Sequence, residues 1–160
     1  MLVKSAFAAL IGASAVFAAA PIAAQQASAV AIASDVLVER VVKGPDGTSR
    51  TEQVAADRVV PGDRLVFRTT YRNDAGKEAR DFVITNPLHP AVQLAPDAAE
   101  SLTVSVDKGQ TWGKLADLVV PSPSGGTRPA ERDDITHIRW TLGVIAPGQT
   151  GERAFAAIVR

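Results

Sequence analysis

Beyond residue 30 the chain alternates apolar and polar side chains with the strand period, and clusters of turn-forming residues interrupt that alternation repeatedly. Residues 35–42 (DVLVERVV) are rich in β-branched side chains and predict a first strand, which Lys43-Gly44-Pro45-Asp46-Gly47 then breaks. A second sharp turn, Pro61-Gly62-Asp63, opens residues 64–72 (RLVFRTTYR), the clearest alternation in the chain. Leu65, Phe67, Thr69 and Tyr71 fall on one face of that strand, with Arg64, Val66, Arg68, Thr70 and Arg72 on the other. Asn73-Asp74-Ala75-Gly76 turns the chain into residues 79–85, whose Phe82 and Ile84 point inward, and Pro87 and Pro90 end this strand.

Further strands are predicted over residues 102–106, 115–120, 135–142 and 153–159. Ile138, Trp140 and Leu142 form the buried row of the third of these, and Pro147-Gly148 precedes the last. Residues 121–132 contain SPSGGTRPAER and read as a mobile polar loop. About seven short strands at this spacing predict an all-β domain of two packed antiparallel sheets, with a closed barrel as the structural competitor.

The first 29 residues follow another rule. Lys4 precedes the uncharged run AFAALIGASAVFAAA at residues 6–20, and small residues follow Pro21. This is the layout of a secretory signal peptide, with cleavage after Ala24 or after Ala29. The expected organisation is a leader over residues 1–24 and one sandwich domain over residues 30–160. The run is short and alanine-dominated for a membrane span, so the mature chain is expected to be periplasmic or extracellular and to contain no span.

Composition narrows the function. Seventeen basic and 17 acidic residues balance, and loss of Lys4 with the leader leaves the acids one ahead. A nucleic-acid partner would need a concentrated basic surface, so none is expected. With no cysteine, disulfides, thiol nucleophiles and cysteine-ligated zinc are absent. No Gly-x-Ser-x-Gly, phosphate loop or His-Glu-x-x-His stretch occurs, and no nucleophile has a base near it in the sequence. The chain therefore reads as no enzyme, with no catalytic residue, cofactor or metal assigned.

Five features stand out against this background. Val60-Pro61-Gly62-Asp63-Arg64-Leu65-Val66-Phe67, Tyr71-Arg72-Asn73, residues 82–88 (FVITNPL), and Trp140-Thr141-Leu142 with Ala146-Pro147-Gly148-Gln149 together resemble the bacterial conserved-repeat domain. That resemblance covers roughly residues 57–159 and implies an immunoglobulin-like module of exported and surface proteins. Asn86 stands where the family often has Asp, and His89 interrupts its Leu-Pro step. Residues 105–112 (SVDKGQTW) resemble the Asp box of sialidases and other propellers, which predicts a hairpin in which Asp107 accepts turn amides and Trp112 packs beneath. One copy cannot form a propeller.

His89 in a proline-flanked loop and His137 on an outer strand face read as surface histidines. Asp133 and Asp134, read as strand neighbours, would point to opposite faces, although a loop calcium site is conceivable there. Arg64, Arg68 and Arg72 form a stripe expected to lie on a solvated face opposite Asp81 or other acids. The function expected is a non-catalytic interaction or structural module of the cell envelope whose partner is another envelope or surface protein. The alternative is a small-ligand or carbohydrate-binding sandwich using Trp112, His89 or the 121–132 loop.

Overall fold

The computed structural model describes residues 30–160, and the leader reading of the first 29 residues lies outside them. The described chain is all-β and antiparallel. Its strands are β1 (Val30–Lys43), β2 (Ser49–Ala55), β3 (Arg64–Asn73), β4 (Ala79–Pro87), β5 (Val92–Leu94), β6 (Thr103–Ser105), β7 (Val119–Pro121), β8 (Thr127–Pro129), β9 (His137–Ile145) and β10 (Thr150–Val159). A helix, α1 (Pro96–Ser101), lies between β5 and β6. One sheet has the order β2-β1-β3-β10-β5, a second β4-β9-β6, and β7-β8 form a separate ribbon.

The alternation in β3 does what the period of two requires. Leu65, Thr69, Tyr71 and Asn73 are buried on one face and Phe67 is nearly so, while Thr70 and Arg72 are exposed on the other. Val66 departs from the pattern, being buried on the outer face, where its cross-strand neighbours are Leu37 and Ala156. Phe67 stacks on its cross-strand partner Phe155 with ring centroids 4.9 Å apart, and Trp140 of the second sheet lies 6.0 Å from Phe155. The main core draws Val38, Leu65, Leu94, Phe155 and Ala157 from the first sheet together with Val104 and Ile138 from the second. The two sheets therefore pack face to face as a sandwich.

Both Pro-Gly turns are built alike. Pro61 and Pro147 take the second turn position, and Gly62 and Gly148 follow with φ of +92° and +74°, a region that favours glycine. In each, the fourth residue folds its side chain back on the first: Asp63 Oδ2 accepts from the Val60 amide at 2.8 Å, and Gln149 Oε1 from the Ala146 amide at 2.8 Å. Asp63 also receives Arg40, whose Nη2 donates to Oδ2 at 2.8 Å. The guanidinium first, and then the Val60 amide, hold the Asp63 carboxyl below its ordinary range.

Asn73 closes the opposite end. It is fully buried, and its Nδ2 donates to the carbonyls of Lys77 (2.9 Å) and Ile145 (2.8 Å). Its Oδ1 accepts from the Ala75 amide, and its backbone pairs with Gln149 and Gly148.

Several expectations need correction. Ten strands are described where about seven are expected, the first is longer than residues 35–42, and β2, β5 and α1 are additions to the expected elements. Residues 115–120 are a 3-10 turn, Leu115–Asp117, followed by the short β7. Residues 121–132 are not one polar loop, because β8 pairs with β7 from Val119↔Pro129 to Pro121↔Thr127 and leaves only residues 122–126 as its turn. Asp81 does not face the arginine stripe; it belongs to β4 of the other sheet.

Replacing Asn73 by Ala is expected to destabilise the domain by about 2–4 kcal/mol, since the Lys77 and Ile145 carbonyls each lose the donor that this buried amide supplies. Urea unfolding followed by tryptophan fluorescence measures this. Ile138→Ala, which empties a fully buried position between the sheets, should cost about 2–5 kcal/mol by the same assay.

Candidate functional site

The stretch from Ser105 to Trp112 is a compact hairpin closed by a bridge between Val104 and Gly113. Ser105 is fully buried, and its hydroxyl donates to Asp107 Oδ1 at 2.7 Å while accepting from the Gly109 amide at 2.8 Å. Asp107 Oδ1 accepts further from the amides of Thr111 (2.8 Å) and Gln110 (3.0 Å). These bonds, those of Thr111 first and that of Ser105 next, hold the Asp107 carboxyl down at about 2. Gly109 turns with φ of +89°, and Lys108 before it stands at +61°, which a β-carbon disfavours.

Trp112 is fastened rather than presented. Its indole N–H donates to the Gly109 carbonyl at 2.9 Å, the Arg139 guanidinium lies over its ring 4.5 Å from the centroid, and the His137 ring meets it edge-on at 6.4 Å. With one face under Arg139, the indole offers a sugar no two-sided platform.

Beside this hairpin the fold brings together residues that are far apart in sequence. Leu88 donates its amide to the Thr136 carbonyl at 2.8 Å, and the Lys108 amide donates to Thr136 Oγ1 at 3.0 Å. The result is a cleft of about 390 Å³ walled by Pro87, Leu88, Pro90 and Ile135 and edged by His89, Lys108, Asp133, His137 and Arg160. His89, His137 and Asp133 thus share one site; Asp134 does not join them, since its carboxylate takes Arg128 at 2.7 and 2.8 Å. Asp133 and Asp134 do diverge, but on a 3-10 turn, Arg132–Asp134, rather than on a strand.

Ring protonation follows from the partners. His89 Nδ1 accepts from the Ala91 amide at 3.1 Å, so a neutral His89 carries its proton on Nε2. Thr136 spends its single hydroxyl hydrogen on the Ser105 carbonyl at 3.1 Å, so the 3.0 Å contact with His137 Nδ1 is an imidazole N–H donating to Oγ1. Among the described residues no three His, Asp or Glu side chains are grouped so that they could hold a metal ion. No described helix is long and apolar enough to cross a membrane.

The arginine stripe is neutralised in place. Arg68 pairs with Asp35, its cross-strand neighbour, and Arg64 bridges Glu39 (3.1 Å) and Asp97 (2.7 Å). Arg72 turns to Asp74 at 2.5 Å. The acids are thus those of β1, β10, α1 and the β3–β4 turn. The functional signal that sequence missed lies on the other face of the same sheet. Ile32, Val36 and Val54 lie on the inward side, as their register with Tyr71, Phe67 and Val38 shows, yet they are 47, 37 and 41 % exposed. The reason is arithmetic of layers: a three-stranded sheet cannot cover a five-stranded one. Among the described residues β4, on the side of the second sheet that shares a cluster with Val30 and Tyr71, pairs with β9 alone and leaves its other edge open.

Compared with protein-family models, curated proteins and solved structures, the chain matches none.

Asp107 provides a pH signature. Because its folded carboxyl lies at about 2, below an unfolded value near 4, its contribution is complete above about pH 4 and is lost as pH falls toward about 2. Acid titration of thermal stability should therefore fall more steeply for the parent than for Asp107→Asn over this window, and the variant should melt lower at pH 7.

Proposed function

We propose that this chain is a non-catalytic interaction module of the bacterial cell envelope, exported by its N-terminal leader and built on the immunoglobulin-like plan that its Pro-Gly turns resemble. The observation that carries this reading is the uncovered inward face of β1 and β2 beside the open edge of β4. An extended segment of another envelope protein could pair with β4 through backbone hydrogen bonds and lay alternate apolar side chains on Ile32 and Val36. Specificity would come from the spacing of those side chains, affinity from the ladder and from apolar area removed from water.

Carbohydrate binding at Trp112 is the weaker reading, because Arg139 already covers one face of the ring and the indole N–H is spent on the Gly109 carbonyl. The 121–132 segment also supports it little, since most of it is hairpin and 3-10 turn.

Photo-crosslinking side chains placed at Ile32, Val36 and Val83 test the interaction reading in the native envelope fraction. The expected outcome is one common protein adduct from all three positions and none from Val41, which is 73 % exposed on the opposite face of β1. Ile32→Asp with Val36→Asp should abolish the adduct while the protein keeps its thermal midpoint. Recovery of the protein alone from every position would refute the reading.

A further inference from the structure

We propose that the cleft between the β4–β5 loop and the Asp133–His137 segment binds a small organic carboxylate, with Lys108 and His89 holding the charged group and the proline-lined wall taking the apolar body. This goes beyond an interaction face on β1 and β4, because it uses a different side of the second sheet and a different kind of ligand.

Charge at the cleft favours an anion. Among the described residues the Lys108 ammonium has no hydrogen-bonding or carboxylate partner, although it edges a cleft that contains an acid. That acid, Asp133, is already engaged by Arg160 at 2.9 Å and by the Gln93 amide at 2.5 Å. His89 adds a second donor, because its Nδ1 is committed to the Ala91 amide and its Nε2–H has no acceptor among the described residues. The site therefore offers donors in excess, which suits an anionic oxygen group.

The contrast with the cavity beside α1 sharpens this. That cavity, about 470 Å³, is edged by Lys114 and Arg132, but Lys114 donates to the Ser101 carbonyl at 2.5 Å and Arg132 to that of Leu94 at 3.3 Å. Its cations are committed to the backbone, whereas Lys108 is free among the described residues.

Preorganisation acts in the same direction. Lys108 occupies a left-handed backbone conformation, φ +61°, inside a loop held by Asp107 and by its own amide bond to Thr136. Arg160 and Ala91 pair at 2.9 Å and Val92 pairs back to His89 at 3.0 Å, so the opposite wall is also held by backbone bonds. A ligand would meet donors whose backbones need no ordering, which favours binding. Shape completes the case: Pro87, Leu88, Pro90 and Ile135 give an apolar wall that a bare inorganic anion would leave unused.

The test is an NMR titration of the isotope-labelled full chain with benzoate, with inorganic phosphate and with benzamide as the neutral match. Saturable shifts of the Lys108 amide and the His89 ring with benzoate, absent with benzamide, are expected. Lys108→Gln, which leaves the backbone bonds of the loop intact, should weaken benzoate about tenfold, the worth of one charge-assisted hydrogen bond. His89→Asn, whose Oδ1 can still accept from Ala91, should weaken it similarly, and unchanged amide spectra elsewhere verify that both variants fold. The proposal is overturned if benzoate shifts do not saturate, if benzamide binds as well, or if Lys108→Gln binds like the parent. Saturation by phosphate with none by benzoate would likewise overturn the carboxylate assignment.

Discussion

Asn73 joins the two sheets where neither could close its own backbone. The residue ends β3, yet its side-chain amide reaches the last carbonyl of β9 and the β3–β4 turn, while its backbone engages the β9–β10 turn through Gly148 and Gln149. A fully buried amide with both hydrogens and its oxygen satisfied is a strong positional constraint, because any shift of one sheet over the other strands polar groups in an apolar interior. From that fixed corner the rest follows: β4 leaves at a set angle, β9 returns to it, and β10 re-enters beside β3 with Phe155 over Phe67. At the far end of β3 the Arg40–Asp63 pair and the Val60–Asp63 turn perform the same task for the first sheet alone.

With the corner fixed, the difference in strand number between the sheets acquires a consequence. The narrow sheet covers β3 and β10 and buries Val30 and Val38, at the two ends of the stretch of β1 that pairs with β3, while Ile32 and Val36 between them stay exposed. The outer face has no such deficit, since its arginines meet acids from β1 and α1 and gain solubility more than stability from exposed pairs. The two faces of β1 thus differ in kind. One carries paired charges; the other lacks a covering layer among the described residues.

Much of this was legible in the sequence where local rules decide conformation. β3 was readable because one face packs and the other is wet, and both Pro-Gly turns because only such residues suit their backbone. The hairpin over residues 105–112 was readable for the same reason, its Asp and Gly being required by the turn. β2 was not, since six of the seven residues in SRTEQVA are exposed and an edge strand with both faces wet carries no alternation. β5, β7 and β8 are three residues each, too short for any period to register, and α1 is a six-residue helix whose one buried side chain, Ala99, gives no stripe. Residues 121–132 carry serine, glycine and proline along much of their length, which reads as loop throughout, although the turn needs them only at the tip between β7 and β8.

The cleft was hidden for a deeper reason. His89, Lys108 and His137 lie on three segments that no spacing rule connects; the pairing of Pro87 and Ser105 with His137 and the bonds to Thr136 from Leu88 and from Lys108 bring those segments together. Thr136 itself was unremarkable as a letter, yet its hydroxyl decides the His137 tautomer, anchors the Lys108 loop and ties back to Ser105. The Asp box therefore has a use here that does not depend on a propeller. Its internal hydrogen bonds make a rigid turn, Thr136 docks that turn against β9, and the one side chain the turn leaves unpaired among the described residues is the lysine at its strained corner. A fold motif whose function is to hold a backbone shape has become, by that docking, a way to hold a charge at a cleft.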